Sequence, residues 1–221
     1  MKYSAKVIGY TKPEMLELDG PEELIAYCAR VSSGRPKEEW GADYEGLLSY
    51  CQRNAHWSVF EMADVVIEIE APRDISRQMI RHHSFNFQEF SQRYSDGFEF
   101  TVRDVRRQDD KNRQNSIDDM SAEDRFEFME DCRYAQEFAS ELYFKWRDRG
   151  AAKECARVFL PEGLTMSRLM MKGSARSWLH YIGVRDDWGV TQQEHVMIAR
   201  EIRNALEPVL PVLFKAPPSP D

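Results

Sequence analysis

Apolar and polar residues alternate most clearly in MADVVIEIEAP, residues 62–72. There Ala63, Val65, Ile67 and Ile69 alternate with Asp64, Glu68 and Glu70, and only Val66 interrupts the polar side. A period of two predicts a strand with one buried face. KVIGY (6–10) predicts a shorter strand, and LTMSRLMMK (164–172) alternates loosely enough for another. Leu24, Ile25, Cys28 and Val31 fall at helical spacing across GPEELIAYCARVSS, and a second helix is expected over Asp43 to Arg53, after the loop SGRPKEEWGA. Pro72 opens a third, with Asp74 in its first turn, where the helix dipole favours an anion. It should carry Arg77, Gln78, Arg81 and His82, with Arg77 and Arg81 on one face and Gln78 and His82 on another. It should fray near His83 and Ser84, and SFNFQEFSQRYS should continue as loop or irregular strand.

Residues 103–120 are charged and poorly patterned, which predicts a surface excursion. Ser121, with Asp124 three residues on, starts a long helix with Phe128, Cys132, Ala135, Ala139, Leu142 and Trp146 along its apolar stripe. A short helix around Lys153 to Val158 stops before Pro161, SARSWLHYIGV forms another, and TQQEHVMIAREIRNALEPVL a last one with Val196, Ile198 and Ile202 buried. No linker or repeat divides the chain. The pattern predicts one domain over residues 1–215 and a loose tail over 216–221, with several helices around a modest sheet in mixed order: α/β in content, closer to α+β in arrangement.

Composition narrows the function. With 221 residues and 42% of them apolar, the chain can bury a sizeable core. A net charge of −8 argues against a general polyanion-binding face, so any phosphate site must be a local cluster of arginines. The 103–120 arginines alternate with aspartates and lack stacking aromatics, which argues against nucleic acid. No apolar run approaches the roughly 18 residues of a membrane span, and the start MKYSAKVIGYTKPE has no signal-peptide core. Cys28, Cys51, Cys132 and Cys155 form no CxxC pair and predict buried free thiols in a reducing cytoplasm.

The densest chemistry lies in RQMIRHHSFNFQEFSQRYS, residues 77–95. HExxH, GxSxG, P-loop and metal-type Cys/His patterns are absent. His82 and His83 are adjacent, so on a helix they diverge by about 100° and cannot share one ion. Arg77, Arg81 and Arg93, with Gln78, Ser91 and Tyr94, suit a phosphate group, since arginine forks match its geometry and hydroxyls complete its shell. Surface ion pairs with the abundant acids are the plainer alternative. No base stands at a fixed offset to activate Ser91.

RHHSFNFQEFSQR resembles the signature of the flavin-dependent thymidylate synthases, RHRxxSxNxxSxR. Arg81, His82, Ser91 and Arg93 fall on it, while His83 replaces its second arginine, Asn86 its first serine and Gln88 its asparagine. ARVSS (29–33), NAHWSVFE (54–61), ECARVFLP (154–161) and SARSWLHYIGVR (174–185) occur in that family's order. The resemblance implies an α/β fold with a mixed or antiparallel sheet, assembled as a homotetramer with FAD between subunits. It implies methylation of dUMP to dTMP, with methylenetetrahydrofolate as carbon donor and NADPH as reductant, and no enzyme cysteine adding to the base.

Carried over by position, Arg81 and His82 should contact FAD, helped by His56, Ser58, Ser32 and Glu89, with His83, Ser174 and His180 at further flavin-side positions. Gln78, Glu89, Ser91, Arg93 and Arg157 should line the nucleotide site, Arg93 and Arg157 toward the 5′-phosphate. Arg185, catalytic together with Ser91, should face the pyrimidine and stabilise charge as C5 becomes nucleophilic. Ser174 and His180 stand where the family commonly has asparagines. Asp186 and Asp187 raise a second reading, dCMP as substrate giving a 5-methyl or 5-hydroxymethyl product, because a carboxylate can accept from a 4-amino group and an arginine cannot. A non-catalytic flavin- or nucleotide-binding protein is the reading from another class.

Overall fold

The alternation in residues 62–72 becomes the strand Asp64–Pro72, in which Val65, Ile67, Ile69 and Ala71 are buried while Asp64, Val66 and Glu68 are half-exposed. The computed structural model describes residues 3–15, 17–32, 34, 36–37, 40–41 and 43–215; the expected loose tail, 216–221, lies outside the described residues. Numbered along the chain, the strands are β1 (Ser4–Tyr10), β2 (Asp64–Pro72), β3 (Asn86–Glu89), β4 (Arg107–Gln108), β5 (Ser116–Ile117) and β6 (Met166–Ser174). Four of them form one sheet in the order β1-β2-β6-β3, antiparallel throughout. β4 and β5 pair separately as a small hairpin. The two central strands, β2 and β6, are nine residues each, and the edge strand β3 has four.

The helices are α1 (Pro21–Val31), α2 (Tyr44–Arg53), α3 (Arg73–Met79), α4 (Ala122–Asp148), α5 (Lys153–Ala156), α6 (Ala175–Arg185), α7 (Gln193–Leu206) and α8 (Pro211–Phe214). One core joins the inward face of β2 and β6 to Ile25 of α1, Leu48 of α2, Trp178 of α6, Ile198 and Ile202 of α7 and Phe214 of α8. Helix starts follow the expected capping chemistry. Asp43 accepts from the Gly46 backbone N–H at 2.8 Å, and Ser121 from that of Asp124 at 3.0 Å, each satisfying a donor that the first helical turn leaves unpaired. No helix among the described residues is long and apolar enough to cross a membrane.

Four expectations change. α3 ends at Met79 rather than near His83, because the chain must turn through residues 80–85 to lay β3 against β6. Its expected continuous face therefore breaks, and Arg81 and His82 sit in turns closed by His82 N–H to Met79 O at 3.0 Å and Phe85 N–H to His82 O at 3.2 Å. Along α4 the buried positions are Cys132, Ala139 and Tyr143; Ala135, Phe128 and Trp146 are exposed and Leu142 is half-buried. This helix, about 40 Å long at 1.5 Å per residue, gathers only a small second core of Tyr143, Ala156 and Leu160 with Phe98 and Phe100. The charged 103–120 segment is not uniformly at the surface, since Arg103 and the Arg106 side chain are buried. Finally, Cys155 is exposed, whereas Cys51 and Cys132 are buried and Cys28 half-buried; on α5 it is Ala156 that faces inward.

Phe85 anchors the turn that interrupts the motif. Its ring lies 4.6 Å from Trp178 and 5.9 Å from Tyr181, and it fits because residue 173 of β6 has no side chain. A Cβ on Gly173 would stand 2.4 Å from Phe85 Cδ1. Gly173→Ala should therefore destabilise the fold by about 1–3 kcal/mol, the usual cost of overpacking a filled core. Denaturant unfolding measures it; a variant as stable as the parent would show that Phe85 is free to move.

Candidate active site

The turn after α3 brings two distant stretches of the chain together. Arg185, in the last turn of α6, donates its Nε–H to His82 Nε2 at 2.9 Å. An imidazole nitrogen can accept only when unprotonated. Burial lowers the His82 pKa, and the charges of Arg185, His180 and Arg81 lower it further, to about 4, so the acceptor persists at neutral pH. The His82 ring also packs edge-on against Tyr181 at 5.0 Å. Held through Nε, Arg185 keeps both terminal nitrogens without an acceptor among the described residues, and it is half-buried.

Glu89 organises a second cluster at the end of β3. It accepts from Ser167 Oγ at 2.9 Å and lies 3.0 Å from Arg77 and 3.8 Å from Arg73. Arg73 is buried, and its Nη1 has no hydrogen-bond partner. Burial lowers the Arg73 pKa against the pull of Glu89, and Arg77 and Arg157 lower it further, so the cluster is rich in positive charge. Arg157 is half-buried and has no acid partner among the described residues. Arg93 is exposed and paired with Glu154 at 3.0 Å, three residues before Arg157. Ser91 accepts from the Arg93 backbone N–H at 3.3 Å, as a turn former does, and no base is hydrogen-bonded to its Oγ among the described residues.

Gln78 enters neither cluster directly. Its Nε2 donates to Gln192 Oε1 at 2.8 Å, and its Oε1 meets His195 Nδ1 at 3.2 Å. His195 Nε2 in turn lies 2.9 Å from Tyr181 Oη. At the other end Gln192 donates to Glu194 at 2.9 Å, and Arg106 donates to the same carboxylate at 2.8 Å. Burial pushes the Glu194 carboxyl up, but the Arg106 hydrogen bond and the charges of Arg106 and Arg103 outweigh it and hold it below its ordinary value. His195, Gln192, Glu194, Arg73 and Tyr181 were not among the expected site residues. The available signal for His195 was its register: with Ala199, Ile202 and Leu206 it lies on the buried stripe of α7.

Of the flavin-side positions, His180 opens onto a cleft of about 540 Å³ that is also lined by Ser84, Trp57, Glu61, Arg176 and Ser177. His56 and Ser58 flank Trp57 and are exposed, with the His56 ring edge-on to Tyr50 at 5.6 Å. Arg81 and His83 are exposed, and Arg81 has no partner among the described residues. Ser174 is buried as the N-cap of α6, accepting from Ser177 N–H at 3.3 Å. Ser32 closes α1, donating to Ala29 O at 2.9 Å, and no contact joins it to the motif. Asp186 is nearly buried and binds Arg200 at 2.8 Å and Arg203 at 2.9 Å, while Asp187 accepts from Gly189 N–H at 2.8 Å. Asp186 is thus committed to the scaffold, whereas Asp187 is exposed with one oxygen in a local turn, and no ion pair among the described residues joins either to Arg185.

The model of the thymidylate synthase complementing protein family matches residues 14–212. The flavin-dependent thymidylate synthase of a Synechocystis strain is 46% identical over 215 residues, 96% of this chain and 97% of that one. The chain belongs to the flavin-dependent thymidylate synthase family. A probable flavin-dependent thymidylate synthase of Paramecium bursaria Chlorella virus 1 is 42% identical over 217 residues, covering 96% of this chain and 98% of the relative. Among solved structures, the UMP/dUMP methylase PolB of Streptomyces cacaoi, bound with 5-Br UMP, is 26% identical with a TM-score of 0.81, over 97% of this chain and 92% of that one. The antiparallel sheet and surrounding helices expected from the family resemblance are therefore the fold observed.

His82 gives the site a pH signature. In the unfolded chain its pKa is about 6.5, in the folded one about 4. The unfolded state binds the proton first, so the stability that neutral His82 contributes is complete above pH 6.5 and falls as pH drops toward 4. Imidazole NMR titration should find its midpoint near pH 4, and Arg185→Gln should move it part of the way back up, since burial, the larger cause, remains. An unchanged midpoint would mean that the Arg185 charge does not reach the ring.

Proposed function

We propose that this protein transfers a one-carbon unit to C5 of dUMP, forming dTMP, with FAD as cofactor, methylenetetrahydrofolate as carbon donor and NADPH as reductant. The observation that carries this reading is charge left unused. In a chain of net charge −8, most arginines are tied to carboxylates; among the described residues Arg30, Arg53, Arg113 and Arg149 are exceptions elsewhere, and Arg81, Arg157 and Arg185 likewise have no acid partner. The last three lie at positions that match the family's flavin and nucleotide contacts. Cations that a protein keeps clear of its own acids are available to an anionic ligand.

The residues fit a flavin dinucleotide. Arg81, His82 and His83 would meet it beside the cleft of Ser84, Trp57 and His180, with His56 and Ser58 flanking; Ser32, Glu89 and Ser174 are the remaining family-matched positions. Bound FAD would supply the hydride. The chain's own work is orientation and charge. Arg157, with Arg93 and the unsatisfied Nη1 of Arg73 nearby, would hold the nucleotide phosphate. Gln78, Glu89 and Ser91 would orient the nucleotide. Arg185, fixed through Nε by His82, would turn its free terminal N–H groups toward the pyrimidine, where they can stabilise negative charge. Uracil presents carbonyl acceptors to these donors, and Asp186, tied to Arg200 and Arg203, is not free to accept from a cytosine amino group.

The homotetramer belongs to the same proposal. Phe126, Tyr134, Phe138 and Phe144 of α4 are exposed on a helix that the chain's own core barely covers. Aromatic surface of this kind suits burial against another copy. We place the assembly in the cytoplasm.

Purified protein given methylenetetrahydrofolate and NADPH should convert dUMP to dTMP and leave dCMP unchanged. Its yellow absorbance should bleach with NADPH and return in air. A protein that binds dUMP but never bleaches would be the non-catalytic alternative, and turnover of dCMP would restore the cytosine reading. Arg157→Ala should raise the KM for dUMP roughly 10- to 100-fold, the worth of a charge-assisted hydrogen bond; an unchanged KM would remove Arg157 from the phosphate site.

A further inference from the structure

The file of side chains from Tyr181 through His195, Gln78 and Gln192 to Glu194 has only one consistent order of donors and acceptors. Glu194 is buried, ionised beside Arg106 and Arg103, and can only accept. Gln192 must therefore turn its NH2 toward Glu194, which leaves its Oε1 facing Gln78. Gln78 must then donate through Nε2, which leaves its Oε1 facing His195. His195 must supply the proton on Nδ1, and its Nε2 accepts from the Tyr181 hydroxyl. Flipping Gln78 alone would set carbonyl against carbonyl at Gln192. Flipping both glutamines would move the clash to the Glu194 carboxylate.

The ring that closes the file is held neutral. Burial, with the Arg185 and His82 charges, lowers the His195 pKa to about 3, so it cannot escape the order by taking a second proton near neutrality. Beyond His195, the Tyr181 ring packs on His82, which accepts from Arg185. Gln78 and Arg185 are thus set by one connected piece of interior. After its two internal bonds the Gln78 amide retains one N–H and one carbonyl lone pair.

We propose that His195, Gln192 and Glu194 are positioning residues for Gln78, holding its amide in a single orientation and so fixing where it donates and where it accepts when a nucleotide binds. This rests on the nucleotide reading given above. None of the three touches substrate; each acts through Gln78. Without them the amide can rotate, and part of the bound population meets the nucleotide with donor and acceptor exchanged.

The test uses the full-length protein with dUMP, comparing wild type with Gln78→Leu, His195→Leu, His195→Asn and Gln192→Leu. In wild type, long-range ¹H–¹⁵N NMR should find His195 as the neutral Nδ1–H tautomer. His195→Leu and Gln192→Leu should weaken dUMP binding about 3- to 10-fold, the worth of one net hydrogen bond. The loss should appear in KM far more than in kcat. His195→Asn, which keeps an N–H for Gln78, should recover most of it. An Nε2–H or doubly protonated His195 would overturn the proposal without any assay, and it decides the matter even if His195→Leu fails to fold. Unchanged dUMP affinity in both leucine variants, with weakened binding in Gln78→Leu, would sink the positioning chain and leave the nucleotide reading intact. Unchanged affinity in Gln78→Leu would remove Gln78 from the nucleotide site and the positioning chain with it, whereas a wild-type protein that fails to bind dUMP would sink the nucleotide reading itself.

Discussion

A carboxylate that is 2% exposed, Glu194, can stay charged only if cations are brought to it. Arg106 reaches it at 2.8 Å and Arg103 at 3.7 Å, and Arg103 also binds Asp74 and the Gly163 carbonyl. Two acids and two arginines thus balance in a knot that is buried at Glu194 and Arg103 and partly open to solvent at Asp74. Taking such ions from water costs several kcal/mol each, so the knot need not add net stability. What it does is fasten separate stretches: α7 through Glu194, the first turn of α3 through Asp74, and the start of the charged excursion through its arginines. Losing one member would strand a buried charge, at about 3–5 kcal/mol. Gln192 and Gln78 are oriented from this knot, and α3 is held by it at the end opposite the motif.

The motif is organised from within by an apolar residue. Phe85 occupies the space that Gly173 leaves open, against Trp178 and Tyr181, and the polar residues on either side diverge from it. His82, before it, turns to Arg185; Glu89, after it, turns to Ser167 and Arg77. The residues grouped around His82 and those grouped around Glu89, which we propose face the flavin and the nucleotide, therefore separate because one ring is buried between them.

Much of this was legible in the sequence, and the reasons differ by residue. Period-two alternation made β2 plain, and Asp43 and Ser121 announced their helices, because capping and burial are local effects. The density of arginines in residues 77–93 was legible, but not that Arg77 and Arg93 pair with separate glutamates while Arg81 stands apart. What stayed hidden depended on distant partners. Nothing near Arg103 in sequence announces Glu194, 91 positions away, so a charged stretch read as solvent-facing conceals a buried ion pair. The end of α3 was missed because the sheet, not helix propensity, decides where the chain must turn. His195 looked like an ordinary helix residue until Gln78 and Tyr181 were seen on either side of it.

The sheet's construction has a consequence for where the molecule yields. β2 is paired along both sides, with β1 and β6, whereas β3 is a four-residue outer strand bonded to β6 alone. That strand carries Glu89 and leads directly into Ser91 and Arg93. Strand edges of this kind open with far less free energy than the centre, so exchange of their amides with solvent reports local breathing rather than global unfolding. The segment richest in chemistry thus lies along an outer edge of the sheet. A ligand spanning residues 81–93 would act there as a clasp, and its first measurable effect would be a slower opening of the edge while the core kept its own rhythm.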